Sequence, residues 1–264
     1  MPRLPIYQVD AFADSLFAGN PAAIVPLREW LPDALMQRIA AENNLSETAF
    51  FVSEGSVRRL RWFTPVHEVD LCGHATLASA WVIFQHLEPQ ARILDFVTQS
   101  GPLRVTRRDD GWLSLDFPSR PPVDCACPPR LTAALGAAPI TTLRSRDLLA
   151  VFDDARIVRD LAPDFTALAE LDVYAVIATA PGEPGSDVDF VSRFFAPREG
   201  IPEDPVTGSA HCSLTPYWAQ RLNKTSLRAR QLSARGGELL LELAGERVHI
   251  AGQVVPYMDG FITV

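Results

Sequence analysis

Phe63-Thr-Pro-Val-His-Glu-Val-Asp-Leu-Cys-Gly-His74 and Phe195-Ala-Pro-Arg-Glu-Gly-Ile-Pro-Glu-Asp-Pro-Val-Thr-Gly-Ser209 are two versions of one pattern in a single chain. Each opens on Phe-x-Pro and ends on a glycine that leads into a long apolar segment. What precedes them matches too. Leu31-Pro-Asp-Ala-Leu-Met-Gln-Arg-Ile-Ala leads into Glu47-Thr-Ala-Phe-Phe-Val, and Leu161-Ala-Pro-Asp-Phe-Thr-Ala-Leu-Ala leads into Val173-Tyr-Ala-Val-Ile-Ala. Both read as a short Pro-started helix followed by a strand. Strand-like runs with turn signals, such as Ser114–Phe117 and Leu239–Leu243, follow each copy. Four matching features in one order point to a duplicated unit, and a cleft between two similar lobes is a preferred ligand site.

Between the copies, Pro118, Pro121, Pro122, Pro128 and Pro129 crowd into a stretch that cannot continue a helix or a central strand. The expected organisation is an N-terminal lobe over 1–118, a Pro-rich linker over 119–129 and a C-terminal lobe over 130–264, the last strand a candidate to return to the first lobe. His74–Leu87 is apolar almost all round, with Leu77, Trp81, Val82, Ile83, Phe84 and Leu87, so it reads as an enclosed helix. Ser209–Leu222 is more amphipathic, and Pro216 predicts a kink or a late start. The fold class is α+β: two similar lobes, each a rolled, mostly antiparallel sheet wrapped around a central helix.

The chain has 264 residues, 47% of them apolar and 21% charged, enough for a real core. A net charge of −8 argues against a nucleic-acid partner. The start, MPRLPIYQVDAFADSLF, lacks the order of a signal peptide, and no apolar run approaches a membrane span. Four cysteines fit a reducing compartment without a disulfide framework. The expectation is a soluble, cytoplasmic protein with no membrane partner.

Chemistry is expected at the two glycine turns, Cys72-Gly73-His74 and Thr207-Gly208-Ser209. Glycine lets a ligand approach the backbone, and the first N–H groups of a helix favour an anion such as a carboxylate. The plainer reading, glycine for packing, stays open for either turn alone. Glu47 sits before an apolar strand, and the sequence repeat sets Val173 opposite it, so its role belongs to one copy. Apolar walls would suit it to proton transfer, while a solvated strand edge or a helix cap would make it inert. Asp204 and Asp70 precede their glycines and either could cap a helix. His74 and Ser209 follow the glycines, one able to exchange a proton and the other to donate a hydrogen bond. His67, His86, His211 and His249 have no comparable context and read as structural or exposed. His67-Glu68 lacks the second histidine of a zinc-protease helix, and no serine-hydrolase elbow or phosphate-binding glycine loop is present. Cys125-Ala-Cys127 has no second pair nearby, so no metal is expected there.

These residues resemble the PhzF-type phenazine-biosynthesis isomerases, which share a two-lobed fold with diaminopimelate epimerase and proline racemase. The resemblance rests on Val9-Asp-Ala-Phe with Gly19-Asn-Pro-Ala-Ala, Asn44-Leu-Ser-Glu-Thr-Ala-Phe, Phe63-Thr-Pro with Glu68-Val-Asp-Leu-Cys-Gly-His-Ala-Thr, and Asp204-Pro-Val-Thr-Gly-Ser-Ala. It implies a cofactor-independent, metal-free isomerase, often a homodimer, acting on a small carboxylate-bearing substrate from the inter-lobe cleft. It gives Glu47 the acid/base role, with His74, Asp204 and Ser209 in the same pocket and Asn20, Cys72, Gly73, Thr207 and Gly208 at the substrate. Two alternatives stay open. One is a racemase or epimerase using Cys72, although Thr207 stands where a second cysteine would be needed and Cys72 also reads as a small buried residue. The other is a binding protein of the same fold without turnover.

Overall fold

The computed structural model describes residues 3–55 and 57–264. The chain divides into two units, residues 1–116 with 251–264 and residues 117–250, so the final strand, Val254–Thr263, belongs with the first. In that unit it pairs antiparallel with Arg3–Ala11, which also pairs antiparallel with Asn20–Leu27.

Each unit runs through the same series. In the first, Asn20–Leu27 pairs parallel with Glu47–Glu54 across the helix Asp33–Asn43. Glu47–Glu54 pairs antiparallel with Val57–Phe63, which pairs with the short strand Glu68–Val69 before the helix Gly73–Val82 begins. The chain then returns as Ile93–Thr98, parallel to Val57–Phe63, and turns back antiparallel as Gly101–Arg107. In the second unit, Leu148–Val151 pairs parallel with Val176–Pro181 across two short helices, Ala155–Asp160 and Phe165–Ala169. Val176–Pro181 pairs antiparallel with Phe190–Ala196, which pairs with Ile201–Asp204 before the helix Gly208–Leu222. Ser226–Gln231 returns parallel to Phe190–Ala196 and pairs antiparallel with Gly237–Ala244. Antiparallel pairs predominate, and the parallel ones occur where a helix crosses over.

Burial follows from this layering. Glu47–Val52 is buried at every position because the strand contacts the Gly73 helix as well as Asp33–Asn43, which explains its unbroken apolar run. Phe50 and Phe63 meet edge to face, 5.6 Å between ring centres, within a cluster that includes Ile6, Val25, Met36 and Val52. In the second unit Leu131, Leu148, Phe152, Val158, Val176 and Phe195 form the corresponding cluster.

The Gly73 helix is enclosed as expected as far as Phe84, but Trp81 is half-buried and Leu87, at the end of the π-helical turn Ile83–Leu87, is exposed. Thr76 and Ser79 satisfy their buried hydroxyls on carbonyls one turn back, at Cys72 and Ala75. The Gly208 helix does not start late. It runs unbroken through Pro216. A proline lacks the N–H that would bond the carbonyl four residues back, here Cys212. That carbonyl instead accepts the backbone N–H of Arg120 at 2.9 Å. The proline-rich stretch expected as a linker is therefore hydrogen-bonded to the helix within the second unit, and its Val123–Asp124 pairs with Leu143–Arg144. Trp218 anchors the same helix, stacked on Phe190 at 5.5 Å and donating its indole N–H to Thr179 Oγ1 at 3.0 Å. Among the described residues no helix is long and apolar enough to cross a membrane.

Candidate functional site

In the first unit, adjacent parallel strands start at Asn20 and Glu47, in a register that sets Ala22 against Glu47. The Gly73 helix packs on both strands, with Cys72 as its N-cap residue. Two strand beginnings and a helix beginning thus bring Asn20, Glu47, Cys72 and His74 together. All four are buried.

The geometry centres on the imidazole. His74 Nε2 lies 3.0 Å from Glu47 Oε2, and Nδ1 lies 3.1 Å from Asn20 Nδ2 and 3.6 Å from Cys72 Sγ. The Glu47 contact is at ion-pair distance but not in line with the ring N–H, so both Oε2 and Nε2 keep hydrogen-bonding capacity. An amide nitrogen only donates, so Asn20 in this orientation meets the lone pair of a neutral ring and leaves the proton on Nε2, toward Glu47. With its amide turned, Asn20 would instead accept from an imidazolium. Burial opposes that charged form, but the negative charges that Cys72 and Glu47 can carry outweigh it, and the His74 ring is shifted upward. Burial and then the charge of Glu47 push the Cys72 thiol up to about 11, so it stays protonated at neutral pH. The apolar walls expected around Glu47 are thus interrupted by a histidine.

Glu47, Cys72 and His74 are also of the right types for a soft divalent ion, with candidate ligand atoms within 4.8 Å of one another. Four-coordinate zinc, with bonds of about 2.0–2.3 Å, needs ligand atoms to converge on one point. Here Glu47 lies nearest one ring nitrogen and Cys72 nearest the other.

In the second unit the N-cap residue of the Gly208 helix is Thr207. Its hydroxyl donates to Asp204 Oδ2 at 2.5 Å, and its N–H donates to Gln231 Oε1 at 2.9 Å. Neither helix has a side-chain cap, so capping, the plainer role for Asp70 and Asp204, does not occur. Asp70 is exposed, and strand register replaces it as the partner of Asp204. Val69 pairs with Trp62 as Asp204 pairs with Phe194, which makes Val69 the counterpart. By the same logic the counterpart of Glu47 is Ala175, not Val173. Thr48 pairs with Phe63 as Val176 pairs with Phe195, and the expected strand start at Val173 moves to Val176. The two acids therefore fall on opposite copies, each matched by an apolar residue in the other. Gly73 and Gly208 are buried at the helix starts, and Ser209 is half-buried on the first turn.

His67 and His86 are exposed and His249 is half-buried. His211 is buried. Its Nδ1–H donates to the Thr207 carbonyl at 2.8 Å, and burial pushes the ring down to about 4, which keeps it neutral. Cys212 is also buried, and burial pushes its thiol up to about 12. Two open grooves of about 590 and 560 Å³ flank the second half of the Gly208 helix, near Pro216 and Gln220, and hold none of the motif residues. Gln231 was not visible as a site residue in the sequence, because it lies 22 residues beyond Ser209 at the end of an ordinary strand pattern.

The Cys72 environment yields a prediction. A protonated thiol enclosed by the helix start packs more than it reacts. Cys72→Ala is expected to retain activity within about tenfold of the parent. Abolished turnover in a folded variant, measured as kcat/KM beside a thermal melt, would return the thiol to the mechanism.

The sequence model described as phenazine biosynthesis-like protein (PhzC-PhzF) matches residues 9–260. A Pseudomonas aeruginosa protein named as an uncharacterized isomerase is 54% identical over 258 residues, covering 98% of both chains. A crystal structure of a PhzF-family protein from Enterococcus faecalis superposes with a TM-score of 0.95 at 49% identity, covering 100% of both chains. A hydroxyproline epimerase from Agrobacterium vitis, solved with bound trans-4-hydroxy-L-proline, shares the fold at a TM-score of 0.60 and 11% identity, over 98% of this chain and 92% of its own.

Proposed function

The chain belongs to the PhzC-PhzF phenazine biosynthesis-like family, and from that premise we propose that it is an isomerase that moves a proton between carbons of a small carboxylate-bearing substrate, with Glu47 as the acid/base. The observation that carries the reading is the buried Glu47–His74 contact of 3.0 Å, in which both facing atoms keep unused hydrogen-bonding capacity. A general base must lie within hydrogen-bonding reach of the proton it moves, in a setting that excludes water. Glu47 takes the proton from a carbon activated by a neighbouring carbonyl or double bond. The electron pair of that C–H bond shifts into the conjugated system, and the same carboxyl returns the proton to another carbon. His74 answers the change of charge on Glu47, and Asn20 can meet either state of the ring by the orientation of its amide. The uncapped N–H groups at Gly73 bind the substrate carboxylate. The family resemblance also gives Asp204, Ser209 and the turn at Gly208 a part in the reaction. The scheme uses no metal and no organic cofactor. The high-lying thiols of Cys72 and Cys212 weigh against two-thiol racemisation.

The test starts with a panel of small amino- and hydroxy-carboxylates screened for thermal stabilisation, since a ligand of the native state raises apparent stability. Any that turn over are then run in heavy water. Deuterium is expected at the new C–H position of a product whose double bond has moved, located by NMR. Label at an inverted stereocentre with all bonds in place would reject the proposal in favour of a racemase. Stabilisation without turnover or label would reject it in favour of a binding protein.

A further inference from the structure

Gln231 ends the strand Ser226–Gln231 and is completely buried. Its amide meets three groups of one turn: Oε1 accepts from Thr207 N–H at 2.9 Å, and Nε2 donates to the Asp204 carbonyl at 2.8 Å and to Thr207 Oγ1 at 3.1 Å. The orientation of this amide is set by its partners. A backbone N–H can only donate and a carbonyl can only accept, so oxygen and nitrogen cannot be exchanged. Thr207 Oγ1 receives the Nε2 proton and spends its own on Asp204 Oδ2 at 2.5 Å.

We propose that Gln231 is a positioning residue that sets the direction of a relay from Gln231 through Thr207 to Asp204, holding the Asp204 carboxylate as an acceptor in a fixed orientation. Its place in catalysis rests on the reading that Asp204 serves the proton transfer. The relay assigns Thr207 an internal role, because its N–H is committed to Gln231 and its hydroxyl proton to Asp204. It is peculiar to one copy of the repeat. Phe96 pairs with Arg58 as Ala229 pairs with Phe190, which makes Thr98 the counterpart of Gln231 and Val69 the counterpart of Asp204. Val69 has no polar side chain, and the Thr98 hydroxyl donates within its own turn to the Gly101 carbonyl at 2.7 Å. The second unit therefore holds its acid by a buried amide, whereas the first sets its acid, Glu47, against a histidine.

The test needs no substrate. The whole chain is labelled with carboxyl-13C aspartate, and the Asp204 resonance is assigned by its loss in Asp204→Asn. Gln231→Met is close in shape and removes all three contacts. It is expected to move the Asp204 carboxyl resonance and the Thr207 amide proton. Thr207→Val should move Asp204 in the same sense, and the double variant should fall short of the sum of the two single changes, because both act through Thr207 Oγ1. An unmoved Asp204 resonance in folded Gln231→Met, or additive effects in the double variant, would overturn the proposal and leave Gln231 a packing residue. If Gln231→Met does not fold, Gln231→Glu keeps an acceptor for Thr207 N–H and removes the donor. The Thr207 amide should then stay and Asp204 should move, and an Asp204 resonance that stays would again overturn it. The functional reading is tested separately. Full turnover in Glu47→Gln would end that reading and leave the relay to stand or fall on the Asp204 resonance.

Discussion

Glu47→Gln is expected to lose on the order of a hundredfold or more in kcat with the fold intact, equivalent to about 2.7 kcal/mol of barrier. The amide has nearly the shape of the carboxyl group, so the first turn of the strand Glu47–Glu54 and its pairing with Asn20–Leu27 should persist. What changes is the ability to take a proton from carbon and give it back. Among the described residues around Glu47 in the first unit, none is placed to inherit that step. His74 shares the contact, but its ring is held against Asn20 and Cys72 on its far side, and the Cys72 thiol lies too high to act as a base near neutrality. Deuterium transfer from heavy water should fall together with turnover. The measurement is kcat and label content, beside a thermal melt. Retained turnover in a well-folded amide variant would remove Glu47 from the chemistry.

Gly19→Ala is expected to cost at least about 2 kcal/mol of stability and to disturb the site through the backbone. Gly19 has φ +66°, in the left-handed region, and an added Cβ would sit 2.3 Å from the carbonyl oxygen of Ala11 and 2.7 Å from Cβ of Ala13. The first contact is with backbone, which no rotamer change relieves, so the turn between Arg3–Ala11 and Asn20–Leu27 has to shift. Asn20 is the next residue, and its amide is the partner of His74 Nδ1. The loss should appear as a lower urea midpoint and as a changed 15N resonance of the His74 ring. An unchanged midpoint together with an unchanged ring signal would show that the turn relaxes without strain and that Gly19 does not hold Asn20 in place.

These two residues show how differently site and scaffold could be read from the chain. Glu47 stood out because a carboxylate opened an apolar strand in one copy of a repeat and an apolar residue answered it in the other. Its partner could not be seen in the same way. Asn20 and His74 lie 54 residues apart, and only parallel pairing of two strand beginnings under one helix beginning brings them to a common ring. Asp204 was legible only from its place before the second glycine, where Asp70 stood before the first, and that counterpart was misplaced by one residue. Sequence comparison aligns neighbours along the chain, whereas register aligns them across the sheet, and a one-residue slip reverses which face a side chain joins.

The Gly208 helix marks the limit of local signals. Pro216 predicts a kink or a late start because the sequence shows a missing donor. It cannot show that the freed Cys212 carbonyl finds Arg120, 92 residues earlier in the chain. Gln231 was silent for the related reason that glutamine at a strand end has no local meaning, and its partners lie 24 and 27 residues away. The sequence by itself determined the repeat, the two glycine helices, the enclosed apolar core and the candidate acids, because these arise from periodicity, from φ preferences and from residue chemistry at short range. The tertiary structure alone decided which groups face each acid, which thiols are held protonated, and which hydroxyl is already committed, because burial and hydrogen-bond direction depend on atoms that only folding brings together.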